Sequence, residues 1–307
     1  MKKKILFITG TRADFGKLKP LINAVKNSQE YEYQIFGTGM HLLSKYGGTI
    51  KEVGRSGFEN LFTYMNQVEG EDMEVILANT VIGLSRYLHE NKVDLIVVHG
   101  DRVEALAGAT VGALRNILVS HVEGGEISGT VDELMRHAIS KLSHIHFVAS
   151  SVAEKRLQQL GEDPSTIFTI GSPDVDVLFS NDLPSLKEAN HRYGLNFDSF
   201  AIAMLHPVTT ERDNQFLHAE VFADSLLECQ ENFIVIYPNN DNGSEQIFAA
   251  FNKKLTNENN IRIFPSLRFE YFLTFLKNAK FIIGNSSAGI HEAPIIPVPT
   301  IDRKSVV

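Results

Sequence analysis

Cysteine is almost missing from this chain: Cys229 is the single one among 307 residues. No disulfide framework can form within one chain, and no cysteine-rich metal site. Positive charge is also short. Lys and Arg number 29 against 37 Asp and Glu, a net charge of −8. That balance argues against a general binder of nucleic acid or of membrane surfaces. An anionic small ligand stays open, because a local pocket can be positive on an acidic protein. Long apolar runs are missing too, so no transmembrane helix is expected. The opening "MKKKILFITG" places lysines before an apolar run, as a signal peptide does, but that run spans only Ile5 to Ile8 before Thr9. The chain reads as cytoplasmic. It carries no G-x-G-x-x-G fingerprint, P-loop, H-E-x-x-H or C-x-x-C.

What is present is a composition of 43% hydrophobic and 21% charged residues, enough for a packed core. The length suggests about two domains. Short runs rich in Ile, Val and Phe read as strands at 5–9, 33–36, 95–98, 117–122, 145–148 and 167–170. Helix-length amphipathic segments such as "KLKPLINAVKNS" and "DELMRHAISKLS" separate most of them. A second series of strands follows at 200–205, 233–237, 261–264, 281–283 and 299–301. Alternating strand and helix predicts an α/β fold: two Rossmann-like, doubly wound parallel-sheet domains with a central cleft. A polar stretch with Pro184 and Gly194 lies between the series and places the boundary near 172–184, giving domains 1–175 and 176–307. Cys229, in the amphipathic "DSLLECQENF", is expected as a small core residue.

Ligands of open α/β sheets bind at the carboxyl ends of strands. Those ends here empty into "GTRADFGK", "GTGMH", "HGDRVE", "EGGEISGTVDE", "HPVTTERD", "PNNDNGSE", "PSLRFEYF" and "GNSSAGIHEA". Nearly all are rich in Gly, charge or histidine. "GNSSAGIHEA" predicts a helix N-terminus whose free N–H groups and the Ser286 and Ser287 hydroxyls suit a phosphate, with ordinary N-capping as the plainer reading. Glu292, further along, can accept from ribose hydroxyls or be a surface carboxylate. Arg12 suits phosphate through its guanidinium fork, or pairs with a carboxylate such as Asp14. His206, before Pro207, can serve a diphosphate or be structural. Carboxylates gather in the first half: Asp101, Glu104, Glu123, Glu126, Asp132 and Glu133. Around one cleft, like charges separate acid from base roles. Asp132 and Arg136 are spaced to pair on a helix. His41, His99, His121 and His137 are further proton-transfer candidates, or serve packing.

"TGTRADFGKLKP", "TGMH", "HGDRVEALAGA", "EGGEISGTVDELMRHAISKLSHIH", "HPVTTE", "YPNNDNGSE" and "GNSSAGIHEAP", in this order and spacing, resemble the hydrolysing UDP-N-acetylglucosamine 2-epimerases of sialic-acid biosynthesis. The resemblance runs from about Lys4 to Ile301 and implies the glycosyltransferase-B fold. It implies anti elimination of UDP from UDP-N-acetylglucosamine to give 2-acetamidoglucal, then syn hydration to N-acetylmannosamine. It implies no metal or redox cofactor, no nucleic-acid or membrane partner, and a homo-oligomer. Carried over by motif, Asp101, Glu123 and Asp132 are the catalytic carboxylates and His206 meets the diphosphate. Arg12, Ser286 and Ser287 hold phosphate, Glu292 the ribose, and the "PSLRFEYF" loop with Phe269 the uracil. His41 and Asn239 are sugar- or phosphate-side contacts. The same chemistry on UDP-2,4-diacetamido-2,4,6-trideoxyglucose, a non-hydrolysing epimerase, a glycosyltransferase and a nucleotide-sugar-binding remnant stay open as rivals. The chain departs from the pattern after "PTI": Asp302 fits, Arg303 follows without the expected glycine, and the family's phosphate-contacting arginine is not carried onto it. A missing C-terminal tail is expected to lower stability or activity.

Overall fold

Runs such as Ile5–Ile8 are apolar at consecutive positions because both faces of their sheet are covered. In the computed structural model the covered strand β1 (Lys3–Thr9) is buried from Ile5 onward. The structure describes residues 2–128, 131–180, 183–208, 214–238 and 243–302. The chain forms two compact units, Met1–Val177 and Leu178–Ser305.

In the first unit β1 is followed by β2 (Tyr31–Gly37), β3 (Leu61–Thr63), β4 (Leu95–His99), β5 (Leu118–Val122), β6 (Ile145–Val148) and β7 (Ile167–Thr169). They form one parallel sheet in the order β3-β2-β1-β4-β5-β6-β7. Its helices are α1 (Arg12–Lys26), α2 (Lys51–Arg55), α3 (Met73–Glu90), α4 (Val103–Leu114), α5 (Val131–Lys141) and α6 (Ser151–Gln159); α7 (Pro173–Leu178) crosses into the second unit. The strand order reverses between β1 and β4, and that switch point is where the "GTR" and "HGDR" loops exit. The small residues of α4 let it press onto the sheet there. A Cβ on Gly108 would stand 2.5 Å from Ile8 Cδ1 and 2.7 Å from Val98 Cγ1. Core packing lies on both sheet faces: Leu6, Ile8 and Val98 with α3 and α4 on one, Phe7, Val97 and Phe15 on the other.

The second unit holds β8 (Ala201–Met204), β9 (Phe233–Ile236), β10 (Ile261–Phe264), β11 (Ile282–Gly284) and β12 (Thr300–Asp302). Their parallel order is β10-β9-β8-β11-β12. Helices α8 (Leu186–Tyr193), α9 (Gln215–Glu228), α10 (Ser244–Lys254) and α11 (Phe269–Asn278) belong to it. The switch point lies between β8 and β11, at the exits toward His206 and Ser286. Gly284 is required there: at φ +136° a Cβ would stand 1.7 Å from the Met204 carbonyl oxygen. No described helix is long and apolar enough to cross a membrane.

Every strand expected from the sequence has an observed counterpart, with ends shifted by up to two residues. Strand β3 was not expected: its three residues lie at the sheet edge with two exposed, too short to show a period. Cys229 corrects its expectation. It is the C-cap of α9 and exposed, because it follows the last helical residue and has left the apolar face.

Candidate active site

At the switch of the first unit, Gly10 and Thr11 turn the chain from β1 into α1. Thr11 caps the helix and Asp14 closes the capping box. Asp14 accepts the Gly10 N–H at 2.9 Å and the Thr11 N–H at 3.1 Å, and the Thr9 hydroxyl also donates to it. The carboxylate expected beside Arg12 is therefore occupied by the backbone. Arg12 instead lies 4.0 Å from Glu52 Oε1.

Gly100 adopts φ +70°, turning β4 into a loop where a Cβ would meet nothing within 4 Å. Its need for glycine is conformational rather than steric. Asp101 follows, and its carboxylate Oδ2 accepts from the Arg136 guanidinium. Arg136 Nη1 also donates to the Glu123 carbonyl at 3.0 Å. One arginine on α5 thus ties the ends of β4 and β5 together. Asp132 stands one turn before Arg136, on the same face of α5. His121, fully buried, bridges the same elements: its Nε2 lies 2.7 Å from the Gly100 carbonyl oxygen and its Nδ1 3.0 Å from Ser140 Oγ on α5. A carbonyl only accepts, so Nε2 carries the hydrogen and Nδ1 accepts from the serine. Burial, then the nearby cationic groups, lowers this histidine's pKa to about 3, against the Gly100 hydrogen bond that supports the charged form.

Glu123 sits in the left-handed region at φ +60°, rare for a residue other than glycine. Its side chain is nearly buried. Oε2 lies 2.9 Å from His99 Nε2 and 3.3 Å from Lys17 Nζ, and Oε1 accepts from the Ser172 hydroxyl. Burial opposes ionisation of this carboxyl, but Lys17, His99 and Ser172 outweigh it and hold it well below the usual carboxylate range. Glu104, at the head of α4, is the opposite case: burial pushes its carboxyl up, against the Arg102 guanidinium. Two buried carboxyl groups of one unit are thereby driven apart in proton affinity by different surroundings. Glu104 also explains two glycines, since a Cβ on Gly10 would stand 2.9 Å from its Cδ and one on Gly39 2.6 Å from its Oε1.

His41 does not fit its expected role. It is fully buried, with Nε2 2.9 Å from Thr9 Oγ1 and Nδ1 2.6 Å from Thr49 Oγ1. Both ring nitrogens are engaged inside the fold, so His41 braces the β1 and β2 exits rather than touching a sugar. Burial lowers its pKa to about 4, despite Asp14 nearby.

In the second unit, Asn285 links the switch-point exits. Its Oδ1 accepts the His206 N–H at 2.7 Å and its Nδ2 donates to the His206 carbonyl at 3.0 Å. His206 is thus held by its backbone beside Ser286 and Ser287. No α-helix follows. Two 3₁₀ turns, Ser287–Gly289 and Ala293–Ile295, stand where the sequence predicts one. Pro294 and Pro297 remove N–H groups that a helix ladder needs. The Ser286 hydroxyl accepts the Ala288 N–H at 3.3 Å, so the N-capping reading holds for it, while Ser287 is exposed. Glu292 is buried, not a surface carboxylate. Phe269 opens α11 with its ring buried, and the preceding Arg268 N–H donates to Tyr193 Oη at 2.9 Å. Asn239, Arg303 and parts of the "GGEISGTVDE", "HPVTTERD" and "PNNDNGSE" loops lie outside the described residues. Among the described residues no group of three His, Cys, Asp or Glu is arranged to hold a metal.

Lys17, Ser172 and Asp174 were not singled out from the sequence. Lys17 stands within "GTRADFGK", where its place on the α1 face turned toward the sheet is the one available signal. Ser172 and Asp174 give none, because only the fold brings them to Glu123.

A sequence profile of the UDP-N-acetylglucosamine 2-epimerase family matches residues 23–305. The chain is 51% identical over 300 residues to a UDP-N-acetylglucosamine 2-epimerase of Neisseria meningitidis serogroup B, covering 98% of this chain and 79% of that one. It is 33% identical over 297 residues to a hydrolysing UDP-N,N'-diacetylbacillosamine 2-epimerase of Legionella pneumophila, covering 95% and 78%. Its fold is similar to that of a UDP-GlcNAc 2-epimerase from Neisseria meningitidis crystallised with UDP-GlcNAc, with a TM-score of 0.80 at 18% identity over 99% of this chain and 83% of that one. Two Rossmann-like lobes, an arginine that ties Asp101 to the backbone of Glu123 and a match over nearly the whole length lead to one assignment: the chain belongs to the UDP-N-acetylglucosamine 2-epimerase family and is an enzyme of nucleotide-sugar metabolism.

Proposed function

We propose that this enzyme is a hydrolysing 2-epimerase that converts UDP-N-acetylglucosamine and water to N-acetylmannosamine and UDP. A base removes the C2 proton, the C2–H electron pair forms the C1=C2 bond, and the C1–O pair leaves with UDP. Water then adds to 2-acetamidoglucal, its oxygen to C1 and a proton to C2. Both halves require carboxyl groups that take and return protons at one carbon. The observation that carries this reading is the reach of Arg136: from the helix that begins beside Asp132 it meets Asp101 and the backbone of Glu123. Asp101, Glu123 and Asp132 are the proton-handling set. On the leaving-group side, Arg12, Ser286, Ser287 and His206 meet the diphosphate, Glu292 the ribose and Phe269, through its backbone, the uracil, while Asn239 is a sugar- or phosphate-side contact. Cationic and N–H donors there stabilise the charge that grows on UDP.

Incubation with UDP-N-acetylglucosamine alone, followed by proton NMR, tests the reading. N-acetylmannosamine and UDP are expected. UDP-N-acetylmannosamine, or turnover only with a sugar acceptor, overturns it. The Legionella relative supports a second substrate, UDP-N,N'-diacetylbacillosamine, for the same chemistry. A kcat/KM for that sugar above the one for UDP-N-acetylglucosamine would favour it.

A further inference from the structure

Lys17, Glu123, Ser172 and Asp174 close a ring of side chains inside the first unit. Ser172 Oγ meets Glu123 Oε1 on one side and Asp174 Oδ1 on the other. Lys17 Nζ completes the ring, 3.3 Å from Glu123 Oε2 and 3.2 Å from Asp174 Oδ2. Asp174, the second residue of α7, is only 1% exposed. Neither Ser172 nor Asp174 belongs to the proton-handling set above.

Counting hydrogens shows what the ring does. A serine hydroxyl has one hydrogen and can serve one of two facing carboxylates at a time. The Lys17 ammonium is one positive charge between two negative ones. Asp174 therefore competes with Glu123 for both donors. A carboxylate with fewer donors and less positive charge beside it keeps a proton more readily. The left-handed backbone of Glu123 fits this picture, because such a conformation persists only where the surroundings over-determine it. Here it points the carboxylate into the ring.

We propose that Asp174 is a positioning residue for the epimerase reaction: by drawing the Ser172 hydroxyl and the Lys17 ammonium toward itself, it keeps the Glu123 carboxylate basic enough to exchange a proton during turnover. This rests on the reading of Glu123 as a proton-handling group. Among the described residues, the other titratable or charged groups facing Glu123 are His99 at the end of β4 and Arg136 of α5, the latter through the Glu123 carbonyl.

Two substitutions act in opposite directions. Asp174→Asn gives Lys17 wholly to Glu123 and frees the Ser172 hydroxyl for it, so the Glu123 carboxyl becomes more acidic. Ser172→Ala removes a donor from Glu123, so the carboxyl becomes less acidic. The acid limb of the kcat/KM profile should move to lower pH in Asp174→Asn and to higher pH in Ser172→Ala, each by about one pH unit. KM should stay within about twofold while kcat of Asp174→Asn falls by about tenfold, the loss a weaker base brings. A purely structural role would lower kcat or the melting temperature and leave the limb in place. Limbs that stay put, or move the same way in both variants, overturn the proposal. If Asp174→Asn does not fold, Asp174→Ser, which also removes the competing carboxylate, is expected to give the same downward shift, and an unmoved limb there overturns the proposal. Carbon-13 NMR titration of the Glu123 carboxyl in the same proteins reads the shift without turnover. An inactive wild-type enzyme would thus overturn the functional reading, while unmoved carboxyl titrations would overturn the role of Asp174.

Discussion

The two units share a topology and treat charge differently. The first buries Asp14, Glu52, Glu104, Glu123, Arg136 and Asp174, with His41, His121 and His146, mostly near its strand ends. Among the described residues of the second unit, Glu292 is the one buried ionisable side chain. Its switch point is shaped instead by backbone and amide: Gly284 against Met204, Asn285 against His206. Burying a charge is costly unless partners compensate it, and the first unit supplies those partners in networks. Under the proposed function, the first unit's buried ionisable groups do the proton work, and the second unit meets the diphosphate with donors and close backbone approach, which glycine and short polar side chains provide.

The largest test of this division is Asp101→Asn. It keeps shape and a hydrogen-bond acceptor for Arg136 but removes the carboxylate proposed to exchange a proton. Turnover should fall by about 10²–10⁴-fold with the melting temperature little changed, as read by UDP release and a thermal melt. Turnover at the wild-type level would break the assignment of proton work to the first unit.

Gly284→Ala should strike the second unit. A Cβ 1.7 Å from the Met204 carbonyl oxygen forces β8 and β11 apart. A loss of about 3 kcal/mol or more is expected from chemical denaturation, with weakened UDP binding by calorimetry. A neutral result would show that the backbone exits are not what shapes this site.

Acidification should separate the units. His121 and His41 have folded pKa values lowered to about 3 and about 4 from 6.5. Their unfolded forms bind protons first as pH falls, so their contribution is fully present above pH 6.5 and is lost as pH drops toward those values. Glu123, held below 4.5, acts with the same sign at lower pH. Hydrogen exchange corrected for intrinsic rates should show the first unit losing protection between pH 6.5 and 4 before the second. His121→Gln should flatten that dependence.

The smallest effect is expected at Gly100→Ala. Nothing obstructs the methyl group, so only the left-handed backbone costs, about 1 kcal/mol. Denaturant midpoints would read it, and a much larger loss would point to a role for Gly100 beyond its turn.

The strands were legible because buried parallel strands are apolar at nearly every position, and Leu95–Val98 or Phe233–Ile236 can hardly be read otherwise. Strand β3 was not, since three half-exposed edge residues carry no period. The strand-end loops pointed to Asp101, Glu123 and Arg12. They could not show that Asp14 serves the backbone, that His41 is spent on two threonines, or that Arg136 reaches past its own helix to Asp101. The first is a local capping box that a phosphate-centred reading of the loop passes over, while the other two depend on residues far apart in sequence. The capping signature at Ser286 was real but local. It predicts how a turn starts, while Pro294 and Pro297 decide that it does not continue.

The amide of Asn285 behaves as an extra rung beyond the last rung of the sheet. Parallel strands usually splay where their connections diverge to opposite faces, and that parting opens a crevice. Here a side chain, fastened at both ends to the main chain of His206, keeps the gap stitched. Any ligand drawn to His206 therefore finds the Ser286–Ser287 turn already at a fixed spacing, and little ordering remains to be done when it arrives.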